Sequence, residues 1–122
     1  MEMMNRVAVI TGGSGGIGKA MAKAFLAEGA KAVVLADLNT DAVTAAAQEI
    51  GCAGKTCDVT NEAQIAALVN ETIAEYGKID LFCSNAGAGG SGLLTDAENE
   101  VWQMQWELHV MSHLYAARAV LP

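Results

Sequence analysis

The sequence predicts an α/β fold, a doubly wound parallel sheet with helices on both of its faces. Short apolar, β-branched runs alternate with longer segments in which apolar residues recur at helical spacing. A glycine-rich turn separates the first apolar run from the first helical segment. Strands that alternate with helices require right-handed crossovers, which place consecutive strands parallel to one another in a single sheet.

Four short apolar runs are predicted to form the strands of this sheet. The first ends abruptly in glycines, and the second is apolar at nearly every position. Such continuous apolar runs are expected of strands that are covered on both faces. The predicted bounds are Arg6–Thr11, Lys31–Asp37, Lys55–Val59 and Ile79–Cys83.

Four segments with apolar residues at helical spacing predict the helices. Glycines at positions 29, 51 and 77 follow the first three, as is typical of helix C-termini. Asn39 or Thr40 is expected to cap the second helix, and residues 85–92 are expected to form a glycine-rich loop. The predicted bounds are Ile17–Glu28, Asp41–Ile50, Thr60–Tyr76 and Val101–Leu121. No linker interrupts the pattern, so residues 1–122 are predicted to form a single domain.

The composition excludes several classes of partner. Seven basic against fourteen acidic side chains give a formal net charge of -7, which argues against binding to nucleic acid. No apolar run approaches the ~18 residues of a membrane helix, and the N-terminus has no pattern typical of a signal peptide. Cys52, Cys57 and Cys83 are odd in number and lack paired spacing, which favours reduced thiols. We therefore expect a cytoplasmic protein with no nucleic-acid or membrane partner.

The turn after the first strand, Thr11–Ala20, predicts a phosphate-binding loop. Its sequence is Thr-Gly-Gly-Ser-Gly-Gly-Ile-Gly-Lys-Ala, and the first helix begins within it. A helix N-terminus offers unpaired N–H groups and a partial positive charge, so it can bind a phosphate without a basic side chain. Glycines let the backbone approach the phosphate closely.

Two general nucleotide-binding patterns overlap in this turn. Glycines 13, 15 and 18 match the Gly-x-Gly-x-x-Gly spacing of dinucleotide-binding turns. Gly13, Gly18 and Lys19 also begin like a triphosphate-binding loop, but that loop requires Ser or Thr next, to hold Mg²⁺. Because this chain has Ala20 at that position, the dinucleotide interpretation is favoured.

A third pattern in the turn, Thr11-Gly12-x-x-x-Gly16-x-Gly18, resembles the cofactor loop of the short-chain dehydrogenase/reductase family. Asp37 ends the second strand about twenty residues later, where dinucleotide-binding folds place a carboxylate. Cys57-Asp58-Val59 is similar to the family's Asp-Val pair, and Ser84-Asn85-Ala86-Gly87 is similar to its Asn-Asn-Ala-Gly motif. The resemblance covers residues 6–122 and implies a Rossmann-like sheet with strand order 3-2-1-4, truncated before the family's catalytic strand and helix.

The resemblance implies that these residues bind a nicotinamide dinucleotide. The glycine turn would surround the pyrophosphate, with the Ser14 hydroxyl and the Ile17 amide among its contacts. Asp58 would receive the adenine amino group, beside the backbone of Val59. The predicted cofactor-binding residues are Gly12, Ser14, Gly15, Gly16, Ile17, Gly18, Asp37, Leu38, Asp58, Val59, Asn85, Ala86 and Gly87.

Asp37 determines the expected cofactor preference. Its carboxylate would accept hydrogen bonds from both ribose hydroxyls and would repel the additional phosphate of NADP. Neither Gly13 nor Leu38 supplies a compensating cation, so the sequence favours NAD. A second interpretation stays open for several of these residues. Ser14 would only bond the backbone of its own turn, Asp37 and Asp58 would only act as caps, and Asn85, Ala86 and Gly87 would only form a turn.

The sequence also departs from the family. His109 stands where the family usually has an Asn that helps to hold a water-mediated proton path to a lysine. His109 and His113 have the i, i+4 spacing of metal ligands, but no third ligand is evident, so no metal site is predicted. The family's active-site Ser and Tyr-x-x-x-Lys lie on the next strand and helix, and neither Tyr76 nor Tyr115 begins such a motif.

We therefore expect the NAD(H)-binding half of a short-chain dehydrogenase/reductase. The parent reaction would transfer a hydride between the nicotinamide cofactor and an alcohol or carbonyl substrate that the sequence does not identify. Without a phenol beside a lysine, the accompanying proton transfer has no agent, so no catalytic residue is predicted and the chain alone is expected to be inactive. The alternative hypothesis is a non-catalytic interaction or regulatory module with a vestigial nucleotide site.

The fourth strand and the last helix predict a homo-oligomer. The strand order leaves Ile79–Cys83 at a sheet edge, without a Lys or Pro inside the strand to protect it. The last helix carries two apolar stripes, of which only one can cover the sheet while the other faces water. Association is therefore expected through the 101–121 helix or through pairing of the 79–83 edge strand. One stripe is Val101, Met104, Leu108, Met111 and Tyr115, and the second is Trp102, Trp106, Val110, Leu114, Ala117 and Leu121.

Overall fold

The structure is a computed structural model that describes residues 1–122. Four parallel strands form one sheet in the order β3-β2-β1-β4, which confirms the predicted fold class. The strands are β1 (Val7–Thr11), β2 (Ala32–Asp37), β3 (Ala53–Thr56) and β4 (Leu81–Cys83). The helices are α1 (Gly16–Ala27), α2 (Thr40–Ile50), α3 (Glu62–Tyr76), α4 (Asn99–Trp106) and α5 (Ser112–Val120), and a π-helical turn, Glu107–Met111, joins the last two.

The core lies on both faces of β1 and β2. Every residue of β1 is buried, and Asp37 is the one residue of β2 that is not fully buried. Alternate residues of β2 point to opposite faces, as the period of a strand requires. Val33 and Leu35 pack with residues of α1 and α2, while Val34 and Ala36 pack with residues of α3, the π turn and α5. Because β1 and β2 are apolar on both faces, a layer of helices covers each face of the sheet.

The helix ends follow the signals in the sequence. The Asn39 side chain accepts a hydrogen bond from the Ala42 N–H at 2.9 Å, so Asn39 rather than Thr40 caps α2. Asn61 caps α3 in the same way. Gly51 and Gly77 end these helices at φ 82° and 86°, in the left-handed region that favours glycine.

The predicted third strand was wrong at both ends. β3 spans Ala53–Thr56 instead of Lys55–Val59. Thr56 pairs with Asp37, the last residue of β2, so the ladder of paired residues ends there. A further hydrogen bond from the Cys57 N–H to the Asp37 carbonyl, at 2.9 Å, directs the chain onward. Asp58 and Val59 therefore follow the strand and do not belong to it.

The predicted fourth strand began too early. β4 spans Leu81–Cys83, and its three residues pair with Ala8–Ile10 of β1. Asp80 precedes the strand and attaches it to β1, since its N–H donates to the Val7 carbonyl at 2.9 Å. Its carboxylate accepts a hydrogen bond from the Val7 N–H at 2.8 Å. The strand does lie at the edge of the sheet, as predicted.

The predicted helix over 101–121 is present as one run of helical residues from 99 to 120, in which the π turn joins α4 to α5. A π turn holds more residues than an α turn, so each later side chain moves around the helix axis. The buried positions after Leu108 are Ser112 and Ala116, which belong to neither of the two predicted stripes. Met104, a member of the first predicted stripe, is 52% exposed. No helix of the chain combines the length and the apolar character needed to cross a bilayer.

Candidate functional site

A cleft of about 580 Å³ opens at the carboxyl ends of the four strands. Its wall includes every residue predicted to bind the cofactor, from the glycine turn and from the segments after β2, β3 and β4. The sequence did not predict the other lining residues. Two of these flank the predicted Asp58-Val59 pair and one follows Gly87, whereas the last two lie on α4 and on the π turn. They are Cys57, Thr60, Ala88, Met104 and Leu108.

The glycine turn packs closely against its surroundings on one side and is open on the other. Gly12 has φ +65°, and a Cβ on it would lie 2.9 Å from the Cα of Ala86. A Cβ on Gly18 would lie 2.5 Å from the Gly12 carbonyl oxygen. Around Gly16, in contrast, no atom beyond its chain neighbours and its own helix backbone lies within 4 Å of the Cβ position, and no side chain caps the N-terminus of α1. The first amides of α1 are therefore accessible to an anion in the cleft.

Thr11 fastens the glycine turn to the segment after β4. Its buried hydroxyl donates to the Cys83 carbonyl at 3.3 Å and accepts the N–H groups of Asn85 at 2.9 Å and Ala86 at 3.1 Å. The Asn85 side-chain amide donates to the Thr11 carbonyl at 3.1 Å. Thr11 and Asn85 thus hold two strand ends together, a role for Thr11 that sequence reasoning missed because it treated the residue only as part of a motif.

The Asp37 carboxylate is held by three donors. Its Oδ2 accepts the Ser14 N–H at 3.1 Å and also the Ser14 hydroxyl. Its Oδ1 accepts the Leu38 N–H at 2.8 Å. The predicted ribose-binding carboxylate therefore lies directly beside the glycine turn, with a fixed orientation.

Apolar side chains face the open cleft. Ile17 is 72% exposed and Leu38 is 66% exposed, and both line the cleft together with Met104. Cys57 and Leu108 line it from the buried side. Burial, with a smaller contribution from the Asp58 charge, raises the pKa of the Cys57 thiol to about 11, so this thiol is neutral at pH 7. The cleft therefore combines an apolar wall with a few polar groups, as small-molecule sites commonly do.

Asp58 bonds within the turn that follows β3 and does not cap α3, whose N-cap is Asn61. Its Oδ1 accepts the Thr60 N–H at 3.0 Å and the Thr60 hydroxyl at 2.7 Å. The Asp58 N–H donates to the Gln64 side chain at 2.8 Å. These bonds use only one carboxylate oxygen, so Oδ2 can still accept a donor from the cleft.

The two histidines attach the last helices to the segment after β4. His109 Nε2 lies 2.9 Å from the Ala88 carbonyl oxygen, and a Cβ on Gly87 would lie 2.9 Å from the His109 ring. His113 Nδ1 lies 2.6 Å from the Ser84 hydroxyl, a contact that the sequence did not predict. The rings thus have different partners, and no three His, Cys, Asp or Glu side chains are grouped as metal ligands.

A parallel sheet in this order, with a glycine turn at the first crossover and a cleft at the carboxyl strand ends, defines a protein of the Rossmann type. The family model described as short chain dehydrogenase matches residues 6–122. The chain belongs to the short-chain dehydrogenase/reductase family, as the resemblance implied.

Individual relatives agree with this assignment. An uncharacterized oxidoreductase of Staphylococcus haemolyticus is 37% identical over 99% of the chain and 53% of the relative. The galactitol 2-dehydrogenase of Agrobacterium fabrum is 36% identical over 98% of the chain and 47% of the relative. A short-chain dehydrogenase/reductase of Burkholderia phymatum, solved in complex with NAD, superimposes with a TM-score of 0.92 at 31% identity, over 98% of the chain and 44% of the neighbour. The chain spans about half the length of these relatives.

Proposed function

We propose that the chain binds NAD(H) in the cleft and forms the cofactor-binding half of an oxidoreductase that acts on an alcohol or a carbonyl compound. One observation carries this proposal: the Asp37 carboxylate lies beside the glycine turn, at the end of β2, where it can accept a hydrogen bond from the adenosine ribose. The cleft residues fit the cofactor in three further respects.

The α1 N-terminus fits the pyrophosphate. The open space at Gly16 and the uncapped amides of α1 leave room for two phosphates, which the helix dipole favours. Lys19 does not contribute a charge there, since its ammonium pairs with Glu49 on α2 at 3.3 Å. Binding would therefore rest on backbone amides, so the segment from Gly12 to Gly18 is proposed as the pyrophosphate site.

The apolar wall fits the adenine ring. Leu38 and Met104 expose large side chains in the cleft, and Val59 lines it from the buried side. A flat aromatic ring would remove this surface from water, which contributes roughly 25 cal/mol per Å² of apolar area. The free Oδ2 of Asp58 can accept a hydrogen bond from the adenine amino group.

The segment Asn85–Gly87 leads toward the nicotinamide end of the proposed site. The bound nicotinamide would supply the hydride chemistry, while this chain would bind and orient the cofactor. The His109 ring is occupied by the Ala88 carbonyl, and no tyrosine or lysine side chain lines the cleft. We therefore propose no catalytic residue in residues 1–122, and the substrate is not proposed either.

Calorimetric titration of the purified chain with NAD and with NADP tests the proposal. NAD should bind about 10- to 100-fold more tightly, because the Asp37 carboxylate repels the additional phosphate in a partly desolvated site. Asp37→Ala should weaken NAD binding and narrow the preference. Asp41→Ala, which removes an exposed charge on α2 outside the cleft, should change neither affinity.

The alternative hypothesis, an interaction or regulatory module with a vestigial site, gives the opposite result. It expects no binding of either dinucleotide, and such a result with a folded chain would contradict the proposal. Equal or tighter binding of NADP would contradict the cofactor preference alone. NADH absorbance should stay constant when alcohols or carbonyl compounds are added to the 122-residue chain, because it holds no Tyr-x-x-x-Lys.

A further inference from the structure

We propose that Ser14 is a positioning residue that acts through Asp37, holding the carboxylate where it can discriminate between NAD and NADP. This inference rests on the proposed function, because it concerns how the same cleft selects its cofactor. It differs from the expectation that the Ser14 hydroxyl contacts the pyrophosphate directly.

The geometry of Ser14 carries the inference. Both its N–H and its hydroxyl donate to the same oxygen of Asp37, Oδ2. The hydroxyl is therefore directed at the end of β2 and is not free to donate to a phosphate. The Leu38 N–H donates to the other oxygen at 2.8 Å, so the plane of the carboxylate is fixed from both sides.

The glycine turn itself is held against β2, so the backbone position of Ser14 is fixed relative to Asp37. The Gly13 N–H donates to the Ala36 carbonyl at 3.1 Å, and a Cβ on Gly13 would lie 2.7 Å from the Cβ of Leu35. Gly13 therefore contacts Leu35 and Ala36, and Ser14 contacts the next residue of β2, Asp37. Its position is set by backbone packing, and Asp37 in turn is set by Ser14.

The three donors leave few acceptor positions on Asp37. A carboxylate accepts about four hydrogen bonds, so roughly one position remains for a ribose hydroxyl. A carboxylate held in this way cannot rotate away from the 2′-phosphate of NADP. The electrostatic repulsion between the carboxylate and that phosphate is therefore not relieved. Without the Ser14 hydroxyl the side chain gains rotational freedom, which weakens its bond to the ribose of NAD and lowers its repulsion of NADP.

The test compares the two cofactors by calorimetry in the unmodified chain, Ser14→Ala and Ser14→Thr. Ser14→Ala should reduce the NAD-over-NADP affinity ratio about 3- to 10-fold, which is less than the full value of a hydrogen bond to a charged acceptor, because two backbone N–H groups still hold the carboxylate. Ser14→Thr keeps the hydroxyl and should restore the ratio to within about twofold. A purely structural role in the turn would weaken both cofactors equally, because they share the pyrophosphate, and an unchanged ratio would overturn the inference.

A double mutant separates action through Asp37 from direct contact with the cofactor. In the Asp37→Ala background, adding Ser14→Ala should leave the NAD affinity unchanged within about twofold. A further loss there would mean that Ser14 touches NAD itself, which would overturn the inference while leaving the proposed function intact.

Hydrogen exchange in the cofactor-free chain provides a readout that does not depend on binding. The Ser14 amide should exchange faster in Asp37→Ala than in the unmodified chain, since it loses its acceptor. Equal exchange would overturn the inference even if NAD binds. Failure of the unmodified chain to bind NAD would instead overturn the proposed function, on which the selectivity role depends.

Discussion

The strands β1 and β4 are neighbours in one sheet, and both are apolar, yet they differ in burial. All five residues of β1 are buried, whereas all three residues of β4 are only half-buried. β1 has a paired strand on each side, whereas β4 is paired only with β1. The difference shows that position in the sheet, and not apolar composition, determines how much surface each strand buries.

The helices also differ in how many of their residues are buried. α3 buries Ile65 and Leu68 in the same core cluster as residues of β1 and β2, whereas α4 has no buried residue at all. Trp102 and Trp106 on α4 are 49% and 55% exposed, and Leu114 on α5 is 40% exposed. Contiguous apolar patches of large side chains are uncommon on the surface of monomeric proteins. The apolar surface left over at β4 and α4–α5 supports the predicted self-association, which we keep as a proposal.

The largest expected effect is on the free energy of unfolding, when one leucine at the centre of the sheet and one at its edge are each truncated to alanine. Leu35 in β2 is fully buried, and Leu35→Ala should lower the free energy of unfolding by about 2–5 kcal/mol, through lost transfer free energy and a residual cavity. Leu81 in β4 is half-buried, so Leu81→Ala should cost about 1 kcal/mol. Urea denaturation followed by circular dichroism measures both.

Because the two changes remove the same atoms, each leucine is the control for the other. The comparison should be repeated at several protein concentrations, since self-association stabilises the folded chain by mass action. Equal losses at Leu35 and Leu81 would show that the edge strand is covered in solution, and would contradict the contrast between centre and edge.

The exposed face of α4 provides the second test. We expect the chain to self-associate at micromolar concentration, and Trp106→Glu should shift it toward the monomer in sedimentation equilibrium. The reason is that a carboxylate placed in an apolar contact would be desolvated without a partner. Ala74→Glu adds the same charge to an exposed position of α3 and should leave the mass distribution unchanged.

A monomeric unmodified chain, whose mass and solubility Trp106→Glu leaves unchanged, would rule out association through α4. Association that persists in Trp106→Glu would point to the other predicted route, pairing of the edge strand β4. In that case a Lys substitution at Phe82, which is half-buried in the edge strand, should produce the monomer.

The centre of the molecule was more predictable from the sequence than its edge. The glycine turn and Asp37 follow from local rules, since a turn between strand and helix and a carboxylate at a strand end have fixed places in this fold. The end of β3 depended on where β2 ends, because Asp37 is the last residue that can pair with it. Such pairing is a tertiary property that periodicity along one segment does not contain.

The helices α4 and α5 show a second reason why the sequence did not predict the whole structure. A π turn at Glu107–Met111 has no composition signal that separates it from an α turn, yet it moved the buried positions to Ser112 and Ala116. The pairing of Ser84 with His113 depends on that rotation as well as on the end of β4. Met104, which precedes the π turn, lines the cleft although the sequence did not place it there.

The smallest expected effect concerns the link that holds the edge strand to the centre, and it is visible in the pH dependence of stability. The Val7 N–H, followed by the Lys78 and Arg6 side chains, holds the pKa of the Asp80 carboxyl below its usual range. Asp80 therefore stabilises the fold above its unfolded pKa of about 3.9, and this contribution is lost as the pH falls through the lower folded value. Asp80→Asn should be less stable than the unmodified chain at pH 7, and the difference in urea midpoint should shrink steadily below about pH 4.

Asp96→Asn, in an exposed loop, should keep the acid dependence of the unmodified chain. An Asp80→Asn deficit that stays constant down to pH 2 would mean that the ionised carboxylate does not hold β4 to β1.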